Sequence, residues 1–210
     1  MSPKLKQLVA GLVAVVALSL VASSAASAAQ FTSGQLTPTY HATGGGSSGT
    51  FHTEGGTTKC NNISASGVQG ESSSTAKVTS TFSECTSFGL VSPVSMNGCY
   101  GIMHVSSGSG DKYKGSGDLV CPAGKEVVIA PTVFGSIICE IRIPAQAGSS
   151  QLEFVDDTSN SRLEIKLTSS TIHYSSTGST CGSAGEKTDG KIENPSPALV
   201  GGKEKSLAVS

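Results

Sequence analysis

Apolar and polar residues alternate along most of this chain. Ile137, Cys139, Ile141 and Ile143 fall at every second position, with Ile138, Glu140 and Arg142 between them. Leu163, Ile165 and Leu167 alternate with Arg162, Glu164 and Lys166 in the same way, and Ala76, Val78 and Phe82 with Lys77, Thr79 and Thr81. Successive side chains of a strand point to opposite faces, so each stretch predicts a half-buried strand. Shorter β-forming runs predict further strands at 37–42, 50–54, 63–68, 99–105, 118–121, 126–130, 151–155, 171–175, 191–193 and 198–200. Asn97-Gly98 is a hairpin signal, because a two-residue type I′ turn needs positive φ at both positions. Pro122 to Gly124 after Cys121 suits a type I turn. Residues 156–161 read as a hairpin loop, Asp189-Gly190 as a turn and 106–117 as a polar loop. Many short strands with turns every 8 to 12 residues or so describe an all-β fold, an antiparallel β-sandwich or distorted barrel.

The first 29 residues differ in kind. Lys4 and Lys6 precede an apolar and small-residue run from Leu8 to about Ala22, followed by Ala26-Ser27-Ala28-Ala29. That order is a secretory signal peptide, with cleavage expected after Ala28 or Ala29, and the run is short for a membrane span. A secreted, extracellular protein of 181 residues is expected, with no membrane association after cleavage. Loss of two lysines takes the formal charge from −1 to −3, which gives no basic footprint for nucleic acid. Residues 30–58, rich in Gly, Ser and Thr, suit either an edge hairpin with a loose loop or a disordered leader. Residues 59–202 form the β domain and 203–210 a polar tail.

In an exported chain, the six cysteines Cys60, Cys85, Cys99, Cys121, Cys139 and Cys181 read as three disulfides. No pair has the close spacing of a zinc site. Six cysteines allow 15 connectivities. The expected scheme is Cys85 with Cys99, Cys121 with Cys139, and Cys60 with Cys181: two local choices plus one bridge tying the ends of the domain. The second bridge carries a condition: the first and third strands of a simple meander lie about 9.6 Å apart, beyond the roughly 7 Å that a disulfide spans, so the strands at Cys121 and Cys139 must be adjacent or face each other across the sandwich.

The succession Phe82-x-x-Cys85-Thr-x-Phe88-Gly89, Val94-x-Met96-Asn97-Gly98-Cys99, Cys121-Pro122-x-Gly124-Lys125 and Cys139-x-Ile141-x-Ile143-Pro144-x-Gln146 resembles a family of uncharacterised exported proteins of high-GC Gram-positive soil bacteria. The likeness spans about residues 60–201. It implies a bacterial secreted β protein and brings no activity or site residues.

Catalytic candidates are thin. Residues 45–49 match G-x-S-x-G but lack the strand and helix of a nucleophile elbow, so a linker is expected there. His41, His52, His104 and His173 are scattered. The Asp156-Asp157-Thr158-Ser159-Asn160 run offers calcium-type oxygens but suits a plain turn equally. Glu153 and Glu164 could be the paired carboxylates of a glycosidase, which act at about 5 to 9.5 Å, but strand glutamates on a solvent face need no such role. Asn62-Ile63-Ser64 is a formal glycosylation acceptor. No catalytic residue, metal or cofactor is expected. The reading is a secreted non-catalytic β-domain protein, an extracellular or cell-envelope structural or binding module with an unknown extracellular or cell-surface partner; the alternative is a small secreted hydrolase with an unrecognised acid/base site.

Overall fold

The computed structural model describes residues 29–33, 39–41, 48–68, 72–157, 159, 162–178, 180–193, 198–201 and 207–209. The expected signal peptide and the Gly-rich centre of the leader lie outside them, apart from Ala29, Ser48 and Gly49. In chain order the strands begin with β1 (Phe31–Ser33), β2 (Thr39–His41), β3 (Gly49–Thr53), β4 (Gly56–Val68), β5 (Ser72–Ser73), β6 (Thr75–Ser87), β7 (Leu90–Val91) and β8 (Val94–Ser95). Then come β9 (Tyr100–Ser109), β10 (Lys112–Val120), β11 (Val127–Ile129), β12 (Thr132–Val133), β13 (Ser136–Ile137) and β14 (Glu140–Ile143). Last are β15 (Gln146–Asp157), β16 (Arg162–Ser170), β17 (Ile172–Thr177), β18 (Gly185–Glu193), β19 (Ala198–Gly201) and β20 (Leu207–Val209).

The expected antiparallel all-β fold takes the form of one curled sheet. Its order is β19-β16-β15-β10-β9-β6-β4-β3-β18-β17-β14-β11-β8, with β2 beside β4 and β7 beside β6. The strands β20-β1-β5 form a second small sheet, and β12-β13 a hairpin. Strands of the fold therefore lie on both sides of the 59–202 span, and Phe31 pairs with Val209.

Several local expectations change. Asn97 and Gly98 do adopt positive φ of 48° and 84°, with Cys99 N donating to Met96 O at 2.7 Å. The strands they join do not pair with each other, because β8 pairs with β11 while β9 lies between β10 and β6. The turn after Cys121 falls one residue later: Lys125 N donates to Pro122 O at 2.9 Å, which puts Gly124 (φ +69°) at the third position of a type II turn. Glycine takes that conformation at least cost, and it draws the turn to itself. Residues 106–117 are mostly paired strand rather than loop, folding back at Gly110 so that Tyr113 lies opposite Gly108. Asp189-Gly190 lies inside β18, where a Cβ on Gly190 would stand 2.7 Å from Ile172 O. The glycine there permits close approach of two strands, not a reversal. The run at 137–143 splits, leaving Ile137 exposed at the β12–β13 hairpin while Cys139, Ile141 and Ile143 are buried.

All six cysteines are in disulfides, but none of the three expected pairings forms. The bonds are Cys60–Cys85, Cys99–Cys121 and Cys139–Cys181. Cys60 stands directly opposite Cys85 in the β4–β6 ladder. Cys99 and Cys121 flank the Tyr100–Val120 pair that ends the β9–β10 hairpin, and reading 106–117 as a loop hides that neighbourhood. Cys121 with Cys139 fails its own condition, since β10 borders β9 and β15 whereas β14 borders β17 and β11. Cys181 instead reaches Cys139 through a short return after β17, closed by Cys181 N to Gly178 O and Thr180 Oγ1 to Ile138 O.

The sheet wraps two cores. The first gathers Phe31, Ala76, Met103, Val105, Phe154 and Leu163; the second gathers Phe51, Val127, Ile129, Ile141, Ile143, Ile172 and Tyr174 with three half-cystines. The long strands β4 and β6 serve both sides. Ala76 and Val78 face the first core, but Cys85 and Ser87, odd-numbered, are the buried residues further along β6. On β4, Thr58 and Cys60 are buried and Thr58 pairs with Phe51 of the second core, whereas Ile63 and Ala65 are the half-buried apolar residues beyond them. The phase therefore changes on both strands at one place. Cys60 pairs with Cys85 and Asn62 with Ser83, so Asn61 and Glu84 face each other at a gap in the ladder whose register is the same on either side, and Glu84 has φ +53°. An interruption shared by both strands changes which side chains face inward beyond it and leaves the register intact.

Candidate functional site

The gap in the β4–β6 ladder marks the site. A shallow pocket of 280 Å³ opens at Asn61 and Glu84, walled by Phe82, Val91, Pro93 and Val94. Ser92, fully buried, donates its amide to Cys85 O at 2.9 Å and its hydroxyl to Leu90 O at 3.1 Å. Those bonds hold the segment carrying Val91 and Pro93 against β6. Beside it the Cys60–Cys85 disulfide ties β4 to β6. Glu84 is exposed, and its carboxylate has no ion pair or hydrogen bond among the described residues. An L residue at positive φ is disfavoured by its Cβ, and glutamate has none of the local hydrogen bonding that helps Asn or Asp there.

An apolar rim adjoins the pocket. Val91 is 67% exposed, and Thr132 Oγ1 donates to its carbonyl, which sets the β12–β13 hairpin beside it. At that hairpin's tip stand Phe134 (φ 50°, fully exposed) and Gly135 (φ 82°), with exposed Ile137 on its second strand. Phe88-Gly89 makes a second turn of the same form, its half-exposed ring lying over Gly56. Aromatic residues are unusual where positive φ favours Asn or Gly.

Two polar clusters lie elsewhere. Lys187 Nζ sits 2.7 Å from Glu54 Oε2 and donates to Ser183 Oγ at 2.6 Å, and Ser183 donates to Glu54 Oε1 at 3.0 Å. The Lys187 and Ser183 hydrogen bonds hold the Glu54 carboxyl below the usual range, and the same carboxylate raises Lys187. A lysine that keeps its proton is no base for Ser183. Tyr174, raised chiefly by burial, donates to Asp189 Oδ1 at 3.0 Å and accepts from Glu54 N at 3.1 Å, so the network fastens the β3–β4 hairpin to β17 and β18.

In the second cluster His104 Nε2 lies 2.7 Å from Asp118 Oδ2, while Gly148 N donates to Asp118 Oδ1 at 2.7 Å. That backbone donor, ahead of His104, lowers the Asp118 carboxyl. Asp118→Ala is expected to cost about 1 to 2 kcal/mol at pH 7, the scale of a hydrogen bond to a charged group in a partly exposed site. A depressed carboxyl stabilises fully above its unfolded-state value near 4, and the benefit fades as pH falls through the lower folded value. Urea denaturation of both proteins should therefore show the difference shrinking below pH 4.

The other sequence candidates remain dispersed. His52 Nδ1 is 3.3 Å from Thr57 Oγ1, and its Nε2 approaches Glu193 without hydrogen-bonding geometry. The His173 backbone is pinned by Gln146, and His41 pairs in β2 with Ser66. Glu153 pairs with Lys166 and Val155 with Glu164, so the two glutamates are diagonal neighbours on one outer face, where Lys166 reaches Glu164 at 3.5 Å. Ser159 Oγ donates to Asp157 Oδ1 at 2.6 Å, while Thr158 and Asn160 lie outside the described residues. Among the described residues no three His, Cys, Asp or Glu side chains gather as a metal site, and no helix is long and apolar enough to cross a membrane. The pocket itself escaped sequence reading, although its trace is there. Asn61-Asn62 and Ser83-Glu84 each place two polar residues together and break the alternation.

These features define a disulfide-stapled antiparallel β protein with a small pocket at a gap in the β4–β6 ladder. No family model, curated protein or solved structure matches the chain.

Proposed function

We propose that this chain is a secreted, non-catalytic β module that binds a partner outside the cell through the Asn61–Glu84 pocket and its apolar rim. The observation that carries this reading is the coincidence of a pocket, a carboxylate at positive φ that is unpaired among the described residues, and exposed Val91 and Phe134 on neighbouring segments. Backbone strain and large exposed apolar residues persist where binding retains them against stability and solubility. Three disulfides suit an oxidising compartment. The hydrolase alternative is less well supported, because the lysine and the carboxylates nearest to serine or histidine are engaged in pairs on open surface.

Purified mature protein passed over immobilised cell-wall glycans and extracellular proteins of its source should be retained by one of them. Retention should fall at least tenfold for Val91→Asp and stay unchanged for His104→Ala. Turnover of ester, peptide or glycoside substrates that vanishes in His104→Ala would overturn the proposal.

A further inference from the structure

We infer that the pocket at Asn61 and Glu84 recognises a primary ammonium carried on a short aliphatic stem, as in a lysyl side chain. This rests on the reading of the pocket as the binding site and names its ligand chemistry. Glu84 is the one charged side chain lining the pocket, and its carboxylate is unpaired among the described residues, so the fixed charge there selects a cation. Below it Phe82, Val91, Pro93 and Val94 offer a wall that a hydrated ion alone would leave unused. An aliphatic stem covers that wall while its charged head stays at the wet rim, as lysine stems do on protein surfaces. The Phe82 ring adds a face on which a cation is favoured over a neutral group.

Size narrows the choice further. At 280 Å³ the pocket is at or below the lower bound of about 300 Å³ for small-molecule sites, which fits a side-chain-sized group rather than a sugar chain or cofactor. Glu84, at φ +53°, stands where the buried positions of β6 change from even to odd, and it lines the opening together with Phe82 two positions before it. Asn61, opposite Glu84 at the gap in the ladder, also lines the pocket, and its amide oxygen is a second acceptor for an ammonium proton.

The test is an NMR titration of the full mature protein with Nα-acetyl-lysine methylamide, its Nε-acetylated counterpart and butylamine. Saturable shifts at the amides of Asn61, Phe82, Glu84 and Val91 are expected with the lysine amide. They should weaken at least tenfold on Nε-acetylation, with Glu84→Gln, and in high salt. Butylamine binding as tightly as the lysine amide supports a free amine as the source, and tenfold weaker binding supports a lysine within a peptide. Equal binding of the charged and acetylated probes, or no change with Glu84→Gln, overturns the ammonium while leaving the pocket as a binding site. Absence of shifts at these residues with every probe, from a protein whose spectrum shows it folded, overturns the pocket reading as well.

Discussion

Replacing Cys139 and Cys181 together with alanine is expected to lower folding stability by about 4 kcal/mol, the largest loss from any one of the three disulfides. The bond spans 42 positions, against 25 for Cys60–Cys85 and 22 for Cys99–Cys121. In the chain-entropy account a crosslink stabilises by restricting the unfolded chain, which gives about 4 kcal/mol for the longest loop and roughly 3.5 for each of the others. Burial reinforces the ranking, since Cys139 is 1% and Cys181 5% exposed within the second core, where truncation also leaves unfilled space. A domain of this size has a net stability of about 5 to 15 kcal/mol. Loss of this one bond should leave a folded but weakened protein, whereas reduction of all three should unfold it near 37 °C. Urea denaturation of the double variant, beside peptide mapping without reduction, checks both size and connectivity. A loss below about 1 kcal/mol, or Cys139 linked to a residue other than Cys181, would refute the assignment.

The alternation of side chains made the fold class legible and left the connectivity hidden, for reasons specific residues make clear. At Cys139, Ile141 and Ile143 the buried face is read directly from period 2, and the same holds for Leu163 and Ile165. The β9–β10 hairpin was concealed because its interior is glycine and serine. Gly115 is buried, and a Cβ there would collide with the His104 carbonyl and the Phe154 ring, so the chain uses its smallest residue where the sheet is most crowded. Composition therefore suggested a loop at a well-packed place. Without that hairpin, Cys99 and Cys121 had no reason to meet, and the pairing scheme failed from there. The Asn97-Gly98 signal was sound as local chemistry, because positive φ at both positions reflects those two residues alone. Which strands flank it is decided by β11, some thirty positions away, which takes β8 as its partner. The pocket needed two stutters, at Asn61-Asn62 and Ser83-Glu84, to fall opposite each other, and only the register of β4 on β6 supplies that.

Phe31→Ala is expected to cost about 3 to 5 kcal/mol, although Phe31 stands only three positions after the earliest expected cleavage point. Chain termini are commonly loose unless something ties them down. Here β1 is hydrogen-bonded between β20 and β5, and the Phe31 ring is fully buried in the first core. It meets Phe154 edge-on, with ring centroids 5.2 Å apart and planes at 83°. Phe154 is equally inaccessible, and its ring fills the space that the absent side chain of Gly115 leaves open. Removing Phe31 thus opens a cavity lined by Phe154, Met103 and Leu163, whose closure would require the curled sheet itself to shift. Edge-to-face pairs add roughly 0.5 to 1.5 kcal/mol beyond area burial, so a double-mutant cycle with Phe154→Ala should return a coupling of that size. A loss under about 1 kcal/mol for Phe31→Ala, with no coupling to Phe154, would show that β1 is an appendage to the domain and not part of its core.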